Sequence, residues 1–66
     1  MKNNIRVERA RLKISQQQLA DLTNVSRQTI NAIELGKFIP STLLSLKISR
    51  IFNLTVNEIF ELENND

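Results

Sequence analysis

Residues 15–37, SQQQLADLTNVSRQTINAIELGK, contain the signals that start and stop two short helices joined by a tight turn. Ser15 can cap the first helix, because its hydroxyl accepts hydrogen bonds from backbone N–H groups that a helix start leaves free. Gln18, three residues later, can reach back to complete a capping box. Residues 23–25, Thr-Asn-Val, end the helix, since Asn tolerates a left-handed backbone. The spacing predicts a core-facing stripe formed by Leu19, Ala20 and Leu22.

The second helix is predicted from Ser26, again a capping residue, to Gly36, which suits the left-handed position after a helix. Ile30 and Ile33 recur at helical spacing and are expected to point to the core. Val25 fills the corner between the two helices. The other faces of the second helix carry Arg27, Gln28, Thr29, Asn31 and Ala32.

Arg and Gln at an exposed helix start are the side chains that read base edges. Arg27 can make bidentate bonds to guanine O6 and N7, and Gln28 can do so to adenine N6 and N7. Asn31 lies one turn further on, and Ala32 removes bulk where the helix would press on the groove floor. The same residues would also suit the polar face of any solvated helix. The ordered set of caps, corner and stop favours a helix seated in the major groove of DNA.

Charge and helix ends suggest where the DNA backbone would bind. Gln16 lies beside the free N–H groups of the first helix start, which suits a phosphate, and Lys37 follows the second helix. Residues 1–57 hold all nine Lys and Arg but three acidic residues, a net charge of +6, whereas the last nine residues carry −4. A basic body with an acidic tail favours phosphate binding on one side. Some of these charges are expected simply to be solvated.

Residues 5–60 resemble the Xre/Cro family of repressors, which includes phage repressors and many small bacterial regulators. The resemblance rests on Arg9, SQQQLA at 15–20, VSRQTI at 25–30, IELGK at 33–37, the Pro40-Ser41 turn and NEIF at 57–60. It implies an all-α fold, a compact five-helix lambda-repressor-like domain of the minimal, single-domain type. That domain is expected to span residues 1–66, with the helix-turn-helix at about 15–35 and the recognition helix at about 26–35.

The resemblance also implies roles for individual side chains. Base contacts fall at Arg27, Gln28, Asn31 and Ala32. Phosphate contacts fall at Gln16, Ser26, Thr29, Lys37 and Ser41. An ion pair between Arg9 and Glu34 is implied, tying the first helix to the recognition helix.

A few positions depart from the family's pattern. Glu8 stands where the family usually has an aliphatic core residue, and because an unpaired buried carboxylate is costly, it is expected at the rim near Arg11 or Arg50. Thr42 replaces the usual aliphatic residue after Pro-Ser, which leaves the register of the fourth helix open. Two leucines lie where the family tends to be polar, and both core and surface positions remain open for them: Leu12 and Leu43.

The remaining elements follow from the same signals. A first helix is predicted over about 4–13, and Ser41 is expected to cap a fourth helix over about 42–52, with its core stripe at Leu44, Ile48, Ile51 and Phe52. Thr55 and Glu58 form another capping box, which predicts a single-turn helix. The alternation at 60–63 has a period of two, so a short terminal strand paired with residues 1–3 is a further possibility.

Composition limits the classes of function. With 66 residues and 41% hydrophobic side chains there is room for one small core, which is marginally stable unless something supplements it. No Cys, His or Tyr is present, so disulfides, ordinary zinc sites and the usual catalytic groups are missing, and neither an enzyme nor a cofactor is expected. No apolar run approaches the ~20 residues of a membrane span, no signal-type leader is evident, and no small-molecule ligand is suggested. A cytoplasmic protein is expected.

A homodimer is the simplest additional source of stability for a domain with so small a core. The resemblance to minimal Xre/Cro regulators implies an interface at Phe38, Ile39, Leu43 and Val56, although such side chains can also merely cover the core. The predicted function is that of a sequence-specific double-stranded DNA-binding transcriptional regulator, a repressor reading an inverted-repeat operator. The alternatives are an antitoxin-like protein-interaction module with the same fold, and an activator that touches RNA polymerase through Glu34, Glu58 or the acidic tail.

Overall fold

A computed structural model describes all residues from Met1 to Asp66. Five helices and two short strands follow one another along the chain. The elements, in order, are β1 (Lys2–Asn3), α1 (Ile5–Leu12), α2 (Gln16–Thr23), α3 (Arg27–Glu34), α4 (Thr42–Phe52), α5 (Val56–Ile59) and β2 (Phe60–Glu61). The predicted five-helix fold with a terminal hairpin is confirmed.

The caps that bound α2 and α3 are those predicted from the sequence. Ser15 Oγ accepts a hydrogen bond from the Gln18 N–H, and the Gln18 side chain accepts one from the Ser15 N–H at 2.7 Å, which completes the capping box. Asn24 ends α2 with a left-handed φ of 60°. Gly36 follows α3 with a φ of 74°, a conformation that glycine adopts without a steric penalty. Its N–H donates to the Ile33 carbonyl, which closes the end of the helix.

The register of α4 is fixed by a similar cap. Ser41 Oγ accepts from the Leu44 N–H at 3.1 Å, so the helix starts at Thr42 in spite of the unusual residue there. Asn53 ends it in a left-handed conformation with a φ of 55°. The short α5 has the predicted capping box between Thr55 and Glu58.

The core lies where α1, α2, α3, α4 and α5 meet. Its buried side chains are Ile5, Leu19, Ala20, Ile30, Ile33, Leu44, Ile48, Phe52, Ile59 and Phe60. Ile51 is half-buried against this cluster rather than inside it. The core is therefore formed by residues from all five helices, together with Phe60 of β2.

The prediction that Leu22 faces the core is wrong. Leu22 is 62% exposed, and Thr23 takes the buried place on α2. At about 100° per residue, Thr23 lies between Leu19 and Ala20 around the helix, whereas Leu22 falls about 60° outside that arc. The buried Thr23 hydroxyl is satisfied because it donates to the Leu19 carbonyl at 2.8 Å.

The residues that depart from the family pattern lie at the surface or its rim. Glu8 accepts a hydrogen bond from Arg11 Nε at 2.6 Å, so the expectation of a paired carboxylate near Arg11 is met. Arg11 also donates to the Phe52 carbonyl at 3.1 Å and joins α1 to the end of α4. Leu12 and Leu43 are 37% and 64% exposed, so neither belongs to the core.

The chain ends meet in the predicted hairpin. Lys2 pairs with Glu61 and Asn3 with Phe60 in an antiparallel register, and Leu62 lies beyond the paired residues. The Asn3 side-chain amide donates to the Ile33 carbonyl at 2.8 Å. The hairpin is thereby attached to the last turn of α3.

Glu58 makes the stability of the fold depend on pH in the acid range. The pKa of its carboxyl is lowered from an ordinary value of 4.5, because the Thr55 N–H and then the Thr55 hydroxyl donate to it. Stability from this group is therefore present above pH 4.5 and is lost as the pH falls through the lower folded value. Glu58→Gln is expected to flatten this part of the curve of unfolding free energy against pH.

Urea unfolding at a series of pH values between about 2 and 6 measures the effect. Glu61→Gln removes the same charge from a residue outside the cap and is the control. A Glu58→Gln curve that keeps the full acid slope of the wild type would contradict the assignment.

Candidate nucleic-acid interface

Arg27 and Gln28 lie at the exposed start of α3. Both side chains are exposed, and neither forms a hydrogen bond or an ion pair within the protein. Ser26 holds this helix start by accepting from the Thr29 N–H at 3.1 Å. The two side chains therefore project from a fixed helix start with all their donors and acceptors available.

The remaining two residues predicted to face bases lie further along α3. Asn31 is exposed, and its Oδ1 accepts a hydrogen bond from Gln16 Nε2 at 3.0 Å. Ala32 is half-buried. The structure thus brings a predicted phosphate-binding residue, Gln16, into direct contact with a predicted base-reading one.

The residues predicted to bind phosphates are spread around α3. Ser26 Oγ and Thr29 Oγ1 lie 3.0 Å apart and share a hydrogen bond. Thr29 and Ser41 line one open hollow between the α2–α3 turn and the start of α4. Lys37 is exposed just after α3, and its side chain makes no hydrogen bond or ion pair within the protein.

Lys47 belongs to the same hollow and was not predicted from the sequence. Its Nζ lies 3.5 Å from the Thr23 carbonyl, a long hydrogen bond across from α4 to the end of α2. The hollow exists only because α2, α3 and α4 converge there, so the linear sequence carries no signal for it. Lys47 adds a positive charge beside Thr29 and Ser41.

An ion pair ties α1 to the last turn of α3. Arg9 Nε and Nη2 donate to Glu34 Oε2 and Oε1 at 2.8 and 3.1 Å, and Arg9 Nη1 donates to the Ile14 carbonyl at 3.1 Å. The side chains of Arg9 and Glu34 are only 16% and 7% exposed. The hydrogen bonds to Glu34 raise the pKa of Arg9 further above its ordinary value. The pair is architectural, since it holds α3 against α1.

The four residues predicted to form a dimer interface lie in two places. Phe38 and Leu43 line the hollow beside Thr29 and Ser41. Ile39 and Val56 instead line a separate, mostly apolar groove. The two pairs therefore do not line a single groove.

The groove around Ile39 and Val56 includes two residues that sequence reasoning missed. Leu46 is 55% exposed, and Met1 lies at the same groove. Leu46 did carry a signal, because it lies out of phase with the buried stripe of α4 at Leu44 and Ile48. An apolar residue off the core stripe marks an exposed apolar position.

No group of three or more acidic side chains is arranged to hold a metal ion. None of the five helices combines the length and the apolar character that crossing a membrane requires.

The two capped helices α2 and α3, joined by a tight turn, form a helix-turn-helix. The family described as Helix-turn-helix matches residues 5–59, most of the chain, and the protein belongs to this family.

Several relatives match along nearly their whole length. One is an uncharacterized HTH-type transcriptional regulator, YgzD, of Bacillus subtilis (strain 168), 44% identical over 63 residues that cover 96% of each chain. Another, MJ0272 of Methanocaldococcus jannaschii, carries the same description and is 42% identical over 66 residues, the full length of both chains. A regulator of Methanothermobacter thermautotrophicus is 38% identical over 64 residues, 96% of this chain and 93% of its own. The protein is accordingly a DNA-binding transcriptional regulator and not an enzyme.

Proposed function

We propose that the protein is a sequence-specific repressor that acts in the cytoplasm as a homodimer, with residues 1–66 forming one DNA-binding domain. The observation that carries the proposal is the pair Arg27 and Gln28, exposed and unbonded at the capped start of α3. Such side chains discriminate base pairs in the major groove. Occupancy of a promoter by this domain is sufficient for repression, because it blocks access to the DNA.

The positions of the surrounding groups support a division between base and phosphate contacts. Thr29, Ser41 and Lys47 surround one hollow on the α4 side of the recognition helix, and Lys37 follows its end. Phosphate contacts on both sides of a helix fix its register in the groove without reading sequence. Base choice then rests on the start of α3, with Asn31 and Ala32 further along.

Substitutions at the two kinds of contact are expected to differ in their sequence dependence. Arg27→Ala or Gln28→Ala should each cost ~1–3 kcal/mol on the cognate site and relax base choice, because each removes a base contact. Lys37→Ala should weaken binding to all sequences alike and lower the salt slope by about 1. Titration of cognate and random duplexes at several salt concentrations measures both effects.

Gln17→Ala serves as the control for these variants. Gln17 is an exposed neighbour on α2 that donates to Asp21 of its own helix at 2.9 Å. Its replacement is expected to leave base choice unchanged. Equal losses on cognate and random DNA for Arg27→Ala, Gln28→Ala and Lys37→Ala would contradict the proposed roles.

The apolar groove formed by Met1, Ile39, Leu46 and Val56 is the proposed dimer interface. Ile39 and Leu46 are 64% and 55% exposed and line the same groove, and exposed apolar side chains that lie together in this way mark interaction surfaces. A two-fold axis through this groove would bring the same surface of both protomers together. Two recognition helices ~34 Å apart would then enter successive major grooves of an inverted repeat.

Acidic substitutions in the groove are expected to separate the protomers. Val56→Asp places a charge in the groove at the first residue of α5, where an Asp is compatible with the helix start, and Leu46→Glu does so on α4. Both should give a monomer in sedimentation at a protein concentration where the wild type is a dimer. Leu62→Asp, at a 78% exposed residue outside the groove, is the control.

A variant in the hollow lined by Phe38 and Leu43 tests the other possible location of the dimer interface. A chain that stays dimeric with Val56→Asp or Leu46→Glu, and becomes monomeric with Leu43→Glu, would place the interface at that hollow instead. A wild-type protein that sediments as a monomer at all concentrations would remove the dimer from the proposal.

A further inference from the structure

Asn3 joins the terminal hairpin to the end of α3. Its side-chain amide donates to the Ile33 carbonyl at 2.8 Å, and its Oδ1 accepts a hydrogen bond from the Ile5 N–H at 3.2 Å. Ile33 lies in the last turn of α3, where a helix leaves carbonyl groups without a partner of its own. One side chain of β1 therefore holds the end of α3 and the start of α1 together.

The same strand borders the apolar groove that is the proposed dimer interface. Met1, which precedes β1, lines this groove, and so does Phe60, the residue that pairs with Asn3 in the hairpin. The Met1 carbonyl oxygen also lies 3.7 Å from the position that a Cβ atom would take at Gly36, just after α3. Asn3 thus contacts both a residue of the groove and the last turn of the recognition helix.

The ion pair at the end of α3 has no such connection to the groove. Arg9 of α1 donates to Glu34 at 2.8 and 3.1 Å, and neither residue lines the groove. Of these two attachments of α3, the bond from Asn3 is the one that a change at the groove reaches.

We propose that Asn3 is a positioning residue of the recognition helix and that it couples the covering of the apolar groove by a second copy of this chain to DNA binding, an inference that rests on the proposed dimer at this groove. The hairpin has only two pairs of residues, and an isolated hairpin is marginally stable in water. A second copy that covers Met1 and Phe60 stabilises the hairpin and keeps Asn3 on the Ile33 carbonyl. In a monomer, where the groove is open to water, α3 is without this attachment for part of the time.

A recognition helix that is already held in place binds DNA more tightly, because less conformational freedom is lost on binding. Each protomer of the dimer is therefore expected to bind DNA more tightly than a monomer does, even when only one recognition helix contacts the DNA. This effect is separate from the gain that two linked recognition helices obtain on an inverted repeat. Its expected size is about fivefold in affinity, at the lower end of the usual coupling between two sites of one protein.

The test uses a duplex with a single half-site of the selected sequence, so that only one recognition helix can bind. Leu46→Glu provides the monomer, and Leu62→Glu provides a dimer with the same added charge outside the groove. The measured quantity is the ratio of their affinities per protomer, under conditions where sedimentation confirms each state and circular dichroism shows both proteins folded. The dimer is expected to bind about fivefold more tightly. Val56→Asp and Leu62→Asp form a second pair of the same design.

Asn3→Asp is the informative variant, because it keeps the acceptor for the Ile5 N–H and removes the donor to the Ile33 carbonyl. Introduced into both proteins, it should lower the ratio to about one, and its charge cancels because dimer and monomer both carry it. Asn3→Ser, which keeps a short acceptor without a charge, should do the same. Asn4→Asp adds the same charge at the exposed neighbouring residue and should leave the ratio at about five.

The opposing results separate the inference from the function on which it rests. A ratio near one without any substitution at Asn3 overturns the inference and leaves the dimer intact. A ratio that keeps its full value with Asn3→Asp and Asn3→Ser overturns it as well, because the coupling then does not pass through Asn3. An equal fall with Asn4→Asp assigns the effect to charge near α1 and also overturns it. A wild type that sediments as a monomer at all concentrations removes the proposed dimer, and the inference fails with it.

Discussion

Phe52→Ala is expected to remove much or all of the stability of the domain. Phe52 is 1% exposed, ends α4 and is among the largest fully buried side chains. Removing a buried Phe costs ~3–5 kcal/mol, because transfer energy is lost and a cavity remains. A domain of this size has a total stability of only ~3–10 kcal/mol. One substitution therefore removes much or all of that stability.

Phe38→Ala is the matched control, since it is the same chemical change at a side chain that is 50% exposed. Its expected cost is below about 1 kcal/mol. Urea unfolding followed by far-UV circular dichroism, at one fixed protomer concentration, compares the two variants with the wild type. Equal losses for Phe52→Ala and Phe38→Ala would show that the core is not organised around the end of α4.

Arg9→Met is expected to cost ~2–4 kcal/mol of stability. The reason is the partner that it leaves behind, because the Glu34 side chain is only 7% exposed and its carboxylate would lose both hydrogen bonds from Arg9. Removing one member of a buried pair costs 3–5 kcal/mol, and the partial exposure of Arg9 brings the figure down. The Ile14 carbonyl also loses its Arg9 donor.

The double variant Arg9→Met/Glu34→Met separates the energy of the interaction between Arg9 and Glu34 from the contributions of the two side chains on their own. It is expected to recover much of the loss, since no buried charge is left unpaired. Arg6→Met, which changes an exposed arginine of α1, is the control and should lie close to the wild type. Thermal unfolding of the wild type, Arg9→Met, Glu34→Met, the double variant and Arg6→Met measures the losses. A loss for the double variant equal to the sum of the single losses would mean that the two side chains are not energetically coupled.

The parts of the fold that could be predicted are those decided within a few residues. Ser15, Ser26 and Ser41 cap helices because a helix start needs local acceptors, and the side chain next to that start supplies them. Asn24 and Gly36 mark helix ends through their own backbone preferences. The alternation at residues 60–63 predicts a hairpin with residues 1–3, and in the folded chain only residues 2–3 and 60–61 pair.

Leu22 shows where that reasoning fails. On a helix as short as α2, the pattern of apolar residues is compatible with two different buried faces. One face includes Leu22 and the other includes Thr23, and hydrophobicity alone favours the face with Leu22. The structure buries Thr23 because its hydroxyl can bond the Leu19 carbonyl one turn earlier, so burial costs it no unmet hydrogen bond. Packing among α2, α3 and α4 determines which of the two residues is buried, and the local sequence pattern contains no information about that packing.

The candidate site also has one part that the sequence predicts and another part that it does not. Arg27 and Gln28 could be proposed from the sequence because they follow a cap on one helix, and their exposure depends on that helix alone. Lys47 and the bond between Gln16 and Asn31 could not, since each depends on residues brought together from different helices. Tertiary packing therefore adds contacts that link one helix to the next.

Selection from a randomised duplex pool, repeated for the enriched sequence at several salt concentrations, tests the central claim most directly. The account predicts an inverted repeat with half-sites about one helical turn apart, bound far more tightly than random DNA and with a steep dependence on salt. Uniform, weak and salt-sensitive binding with no enriched sequence would contradict it, because the start of α3 would then read no bases.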